Sequence, residues 1–127
     1  MVNIGVKGHM QIEVTKNLLA KNVGSGALDV FATPAMIALI EETAWKSVAP
    51  ALDFGTTTVG ISLSIDHTAP TPLGMIVTCD TELVAVDGKK LTFNAVVSDE
   101  KGEIGRGTHE RFIVEAESFQ AKADSKR

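Results

Sequence analysis

The stretch Thr33-Pro34-Ala35-Met36-Ile37-Ala38-Leu39-Ile40-Glu41-Glu42-Thr43-Ala44-Trp45-Lys46-Ser47-Val48 decides the fold, because it alone carries a convincing helical repeat of apolar residues. At about 100° per residue, Ile37, Ile40, Ala44 and Val48 share one face, and Glu41 lies beside them. Glu42 and Lys46 fall on the opposite face, where charge is expected. Thr33 reads as an N-cap and Pro34 as the first helical residue, where its missing N–H costs nothing. The helix stops near Val48, ahead of Pro50.

Downstream, Val59, Ile61, Leu63 and Ile65 alternate with Gly60, Ser62, Ser64 and Asp66, and His67 continues the apolar row. The run Thr57 to His67 is therefore a strand, closed by Thr68-Ala69-Pro70-Thr71-Pro72, whose prolines cannot sit inside a sheet. Gly74 to Val86 and Lys89 to Ser98 form a hairpin about Asp87-Gly88, and Glu103 to Glu117 returns after Asp99-Glu100-Lys101-Gly102. Upstream, Met10 to Thr15 alternates as a first strand. Lys16 to Leu28, with Gly24-Ser25-Gly26 inside it, reads as a mobile loop. One helix cannot cover both faces of a flat sheet, so the sheet must curl round it. The class is α+β: an antiparallel sheet of about five strands around one long central helix. Residues 1–127 make a single domain, with its core over 10–119 and a frayed tail over 120–127.

Bulk properties exclude several functions. A net charge of −4 with no basic run disfavours nucleic acid as a partner. Cys79 is the only cysteine, so no internal disulfide forms; its apolar setting makes it a core residue. No secretory leader and no run near the roughly 20 apolar residues of a membrane span are visible, which makes the cytoplasm the expected location. Three scattered histidines without ligand spacing give no metal site. No phosphate-cradling glycine pattern and no Gly-x-Ser-x-Gly elbow exist.

Two ionisable groups aimed at one core need a reason, since burying either without partners costs several kcal/mol. Glu41 is a base, a nucleophile or a positioning group, or else a stripe-edge glutamate reaching solvent past Trp45. His67 is a functional group at the rim of the core, or a strand-end imidazole bonded to backbone. Thr33 is an N-cap, or a hydroxyl set among unpaired donors at a positive helix end, where an oxyanion is stabilised. His109 and Arg111 lie on the last strand, and Arg111 is either a solvated cation or the partner of an anion.

The segments Val30-Phe31-Ala32-Thr33-Pro34-Ala35-Met36, Ile40-Glu41, Ile65-Asp66-His67-Thr68-Ala69, Val86-Asp87-Gly88-Lys89-Lys90-Leu91 and Glu103-Ile104-Gly105-Arg106-Gly107-Thr108-His109-Glu110-Arg111 resemble, in that order, the fluoroacetyl-CoA thioesterase-like branch of the hotdog-fold thioesterases. The resemblance implies a hotdog fold, a homodimer that in some arrangements pairs again into a homotetramer, and an acyl-CoA site at the subunit interface. It places the catalytic threonine, glutamate and histidine on Thr33, Glu41 and His67, and the substrate-binding glycine and arginine on Gly60 and Arg111. It implies hydrolysis of a short-chain or small substituted acyl-CoA, with CoA as part of the substrate and no separate cofactor. An acyl-CoA-binding protein without hydrolysis and an enoyl-thioester hydratase are the competing functions. Lys21 to Asp29 carries no aromatic, unlike the lid of the fluoroacetyl-selective enzyme, so the acyl group stays open.

Overall fold

The computed structural model describes residues 2–127. Five strands, β1 (Lys7–Glu13), β2 (Thr56–His67), β3 (Ile76–Asp87), β4 (Lys90–Asp99) and β5 (Gly102–Glu115), form one sheet in the order β1-β3-β4-β5-β2. Every neighbouring pair is antiparallel. The central helix α2 (Thr33–Val48) lies in the concave face, packed mainly on β3 and β1. This is the curled sheet around one long central helix expected from sequence. No helix among the described residues is long and apolar enough to cross a membrane.

The helix is rotated from its expected setting. Met36, Leu39, Ile40, Thr43, Ala44 and Val48 are buried, whereas Ile37 is only partly covered. The buried face thus turns by roughly 60° toward β1 and β3. Ile37, Glu41 and Trp45 are left on the open side, where Trp45 stays 38% exposed. Packed against the buried face are Phe31, Val77, Cys79, Val97 and Ile104 at one end and Leu83, Leu91 and Phe93 at the other. Each such large side chain contributes about 1.5–3 kcal/mol of burial. Burial also pushes the Cys79 thiol up to about 11, so it is an unreactive core group.

Five local expectations change. The first strand begins at Lys7, because the run pairs with β3 as far as Glu82. The segment after it is no free loop: a 3-10 turn (Lys16–Leu18) and the one-turn helix α1 (Ala20–Val23) precede Gly24. Backbone bonds from Ala20 to Val30 (2.8 Å) and from Ala32 to Leu18 (2.8 Å) tie its ends together. The tail is helical, as α3 (Ala116–Asp124), since Ala116, Glu117, Gln120, Ala121 and Lys122 are strong helix formers; none of its residues is buried. In the β3–β4 hairpin Asp87 pairs with Lys90, so Gly88 takes the first central position with φ 61°, the setting of a type II′ turn.

The fifth change matters most. A β-bulge between Gly60 and Ser62 inserts one extra residue into β2 and reverses which side chains face inward. Beyond it, Ile65 packs on the core and His67 faces the helix start, as the alternation predicts. Before it, Thr58 and Gly60 face the helix in place of Val59 and Ile61. Ile61 is 50% exposed.

Candidate active site

The start of α2 carries the first group of site residues. Ala32, not Thr33, is the N-cap, and no side chain caps the helix. The Thr33 hydroxyl, freed from capping, lies 2.8 Å from His67 Nδ1 at the end of β2. The Phe31 ring meets the imidazole edge to face at 6.5 Å. His67 Nε2 is buried and has no hydrogen-bond partner. Burial holds the imidazole below its ordinary pKa, and the nearby Ala69 backbone, which favours the protonated ring, offsets only part of that shift. The two side chains border a cavity of about 300 Å³ whose other walls include Ala20, Ser25, Val30 and Phe31. Pro34 lacks an N–H, which leaves Thr33 and Ala35 as first-turn donors without intrahelical acceptors.

The second group lies two turns along the helix. Glu41 Oε2 is 3.3 Å from Arg111 Nη1, a half-buried carboxylate on a guanidinium only 5% exposed. Arg111 comes from β5, directly opposite Gly60. It donates from Nε to Thr58 Oγ1 (2.8 Å) and from Nη2 to the Thr58 carbonyl (3.0 Å). Nη1 also reaches His109 Nε2 at 3.1 Å. Burial lowers the Arg111 pKa, and Glu41 opposes that shift. Gly60 is needed for space: a Cβ there overlaps Glu41 Oε2 and crowds His109 and Arg111. Its φ lies outside the left-handed region, so no conformational demand is involved.

All five residues singled out from sequence therefore line the inner surface, in two groups: Thr33 with His67, and Glu41 with Gly60 and Arg111. No hydrogen bond or ion pair joins the groups among the described residues. Eight helical residues separate Thr33 from Glu41, about 12 Å of rise. Seven residues separate Gly60 from His67, about 20 Å of bulged strand. Glu41 and His67 thus do not meet within one chain. Arg111, expected at a CoA contact, is turned to Glu41 with each of its three nitrogens engaged. Thr58 was missed, because the uninterrupted alternation assigned it to the outer face; nothing in the sequence announces the bulge.

Comparisons with known proteins identify the family and the fold. Residues 14–117 match the model of the fluoroacetyl-CoA-specific thioesterase family, FlK. A fluoroacetyl-CoA thioesterase from Streptantibioticus cattleyicolor is 40% identical over 98 residues, covering 77% of this chain and 70% of that protein. A crystal structure of a mutant fluoroacetyl-CoA-specific thioesterase superposes with a TM-score of 0.93 at 32% identity, covering 100% of this chain and 98% of the other. A thioesterase superfamily member from Thermus thermophilus shares the fold alone, with a TM-score of 0.90 at 22% identity over 98% of this chain and 93% of that one. With the curled sheet and its central helix in place, the chain belongs to the fluoroacetyl-CoA-specific thioesterase family of hotdog-fold thioester hydrolases.

Proposed function

We propose that the protein hydrolyses a short-chain or small substituted acyl-CoA to the free acid and CoA, as a homodimer whose two site halves come from different protomers. The observation that carries this reading is the split site. A carboxylate is held against Gly60 by a buried arginine, while a threonine–histidine pair with an unsatisfied Nε2 lies too far along the same chain to reach it. Twofold pairing brings each half to the complementary half of the other copy. The free edge strand β2 supports such pairing: Ile61 and Leu63 are 50% and 38% exposed on it, beside Trp45 on the open side of the helix. An apolar, unpaired edge is what a second copy covers.

In this site the acyl carbonyl lies at the start of α2. The first-turn N–H groups and the helix dipole receive the developing oxyanion. Glu41 of the other protomer attacks the carbonyl carbon or takes the proton from an attacking water. On the water route the C–S bond breaks as the acid forms; on the covalent route the thiolate leaves first and a water then hydrolyses the Glu41 anhydride to the free acid. On both, the proton given up by water goes to the CoA sulfur. His67, oriented by Thr33 and neutral at ordinary pH, is the group placed to move it. Gly60 and Arg111 keep the carboxylate in position, and CoA enters only as part of the substrate. The lone buried thiol suits a reducing compartment, and we place the protein in the cytoplasm.

The test is thiol release from a panel of small acyl-CoAs, including fluoroacetyl-CoA and acetyl-CoA, by the wild type and by Glu41→Ala and His67→Ala. The expected result is turnover lost in both variants. Turnover unchanged in either removes that residue from the chemistry.

A further inference from the structure

His109 takes no part in the chemistry just described, yet it is fully buried and hydrogen-bonded at both ring nitrogens. Its Nε2 faces Arg111 Nη1 at 3.1 Å, and its Nδ1 lies 2.8 Å from the Ser62 carbonyl. A guanidinium has donors only, and a backbone carbonyl accepts only. The two contacts therefore fix one protonation state: the ring carries its hydrogen on Nδ1, donates it to Ser62, and offers a lone pair on Nε2 to Arg111. Phe93 stacks on the ring at 6.3 Å and 29°, which locks its plane. Ser62 is the residue just beyond the bulge that turns Gly60 inward.

We propose that His109 is a positioning residue for thioester hydrolysis, a neutral latch that holds Arg111 and, through Arg111, the Glu41 carboxylate. The inference rests on Glu41 being the catalytic carboxylate. Arg111 Nη1 is shared between His109 and Glu41. An acceptor on one side of that nitrogen sets the direction in which it donates on the other. Protonating His109 replaces the acceptor with a second N–H aimed at a buried cation, so the latch opens and Glu41 loses its aligned partner. The charged groups around the ring are Arg111 and Glu110 from β5 and Glu41 from α2. β2 presents the Ser62 carbonyl and β4 the Phe93 ring, neither of which titrates. Glu110 is committed to the Ser62 hydroxyl and Lys90. Burial first, and Arg111 with it, keep the imidazole below its ordinary pKa; the Ser62 bond, Glu41 and Glu110 oppose them.

A double-mutant cycle on kcat tests the latch, using the full-length chain with a small acyl-CoA and thiol release as the readout. His109→Asn keeps an amide donor for Ser62 and loses the acceptor for Arg111. His109→Gln places an acceptor where Nε2 was. His109→Asn should lower kcat by about 10- to 100-fold with KM moving less than about threefold, and His109→Gln should recover most of that loss. In a Glu41→Gln background, adding His109→Asn should change kcat by less than about threefold, because a latch on an absent carboxylate has nothing to hold. Equal damage from Asn and Gln, or losses that add, overturns the latch while the Glu41 reading stands. Wild-type turnover in Glu41→Gln overturns the Glu41 reading and the latch with it. Nitrogen-15 spectra of the wild-type histidines need no variant: His109 should hold its proton on Nδ1, and a proton on Nε2 overturns the proposal.

Discussion

Gly60→Ala separates a positioned carboxylate from an idle one. The new methyl group comes closer than 3.0 Å to Glu41 Oε2, and ordinary contact begins at 3.4 Å, so the oxygen must move by roughly 1 Å. His109 and Arg111, at 3.3 and 3.4 Å from the same methyl, block retreat toward β5. A misplacement of that size costs about 100-fold in rate, or about 2.7 kcal/mol of barrier. Folding moves in the other direction. The backbone at Gly60 needs no left-handed φ, and removing a glycine lowers the entropy of the unfolded chain, worth about 0.4–1 kcal/mol of added stability. The expected signature is kcat reduced about 100-fold with the melting temperature unchanged or raised. Thiol-release kinetics and a thermal melt on the same sample read both. A kcat within about threefold of wild type means that the carboxylate against Gly60 is not the reacting one.

Glu41→Gln should lose about 100- to 10,000-fold in kcat, measured by thiol release with Arg111 still folded in place. Thr33→Ala should slow turnover while lowering stability by less than about 0.5 kcal/mol in urea, because Ala32 is the N-cap; a loss near 1 kcal/mol returns Thr33 to a capping role. Ile61→Lys with Leu63→Glu should convert the dimer to monomers in sedimentation and abolish turnover together; active monomers remove the shared site. Acid titration of stability has a defined sign. His67 and His109 both have folded pKa values below the ordinary 6.5, so the unfolded chain takes up protons first as pH falls. Unfolding free energy from urea melts should be flat just above 6.5 and decline below it until the folded imidazoles protonate. Stability that rises between pH 6.5 and 5 contradicts those shifts.

The fold was legible because its signals are periodic. The helix, the hairpin at Asp87-Gly88 and the two later strands follow from spacing and turn chemistry, and their ends move by only a few residues. The site was half legible. The inward aim of His67 is legible because it lies beyond the bulge, where alternation counts the right parity. Alternation hides Thr58 and the inward turn of Gly60, which only the family resemblance picks out, because one inserted residue reverses the faces before it and no local composition marks such an insertion. Thr33 looked like a cap because threonine ahead of proline usually is one; its hydroxyl is released only because Ala32 already occupies the cap position. Glu41 was placed beside the stripe correctly, yet its partner is a residue 70 positions away that no spacing rule connects to it. The rotation of the helix stripe has the same origin, since tertiary packing on β1 and β3 chose Met36 and Leu39 over Ile37.

Mixing two inactive variants tests the shared site most directly. Glu41→Gln chains and His67→Ala chains are unfolded together, refolded at equal ratio and assayed for thiol release. Half of the resulting dimers are mixed, and each mixed dimer holds one site with both native groups if the halves come from opposite protomers. Recovery of roughly a quarter of wild-type activity is the expected outcome. A refolded mixture no more active than its two parents, with mixed dimers present by native mass spectrometry, means that the carboxylate and the imidazole do not complete each other across the interface.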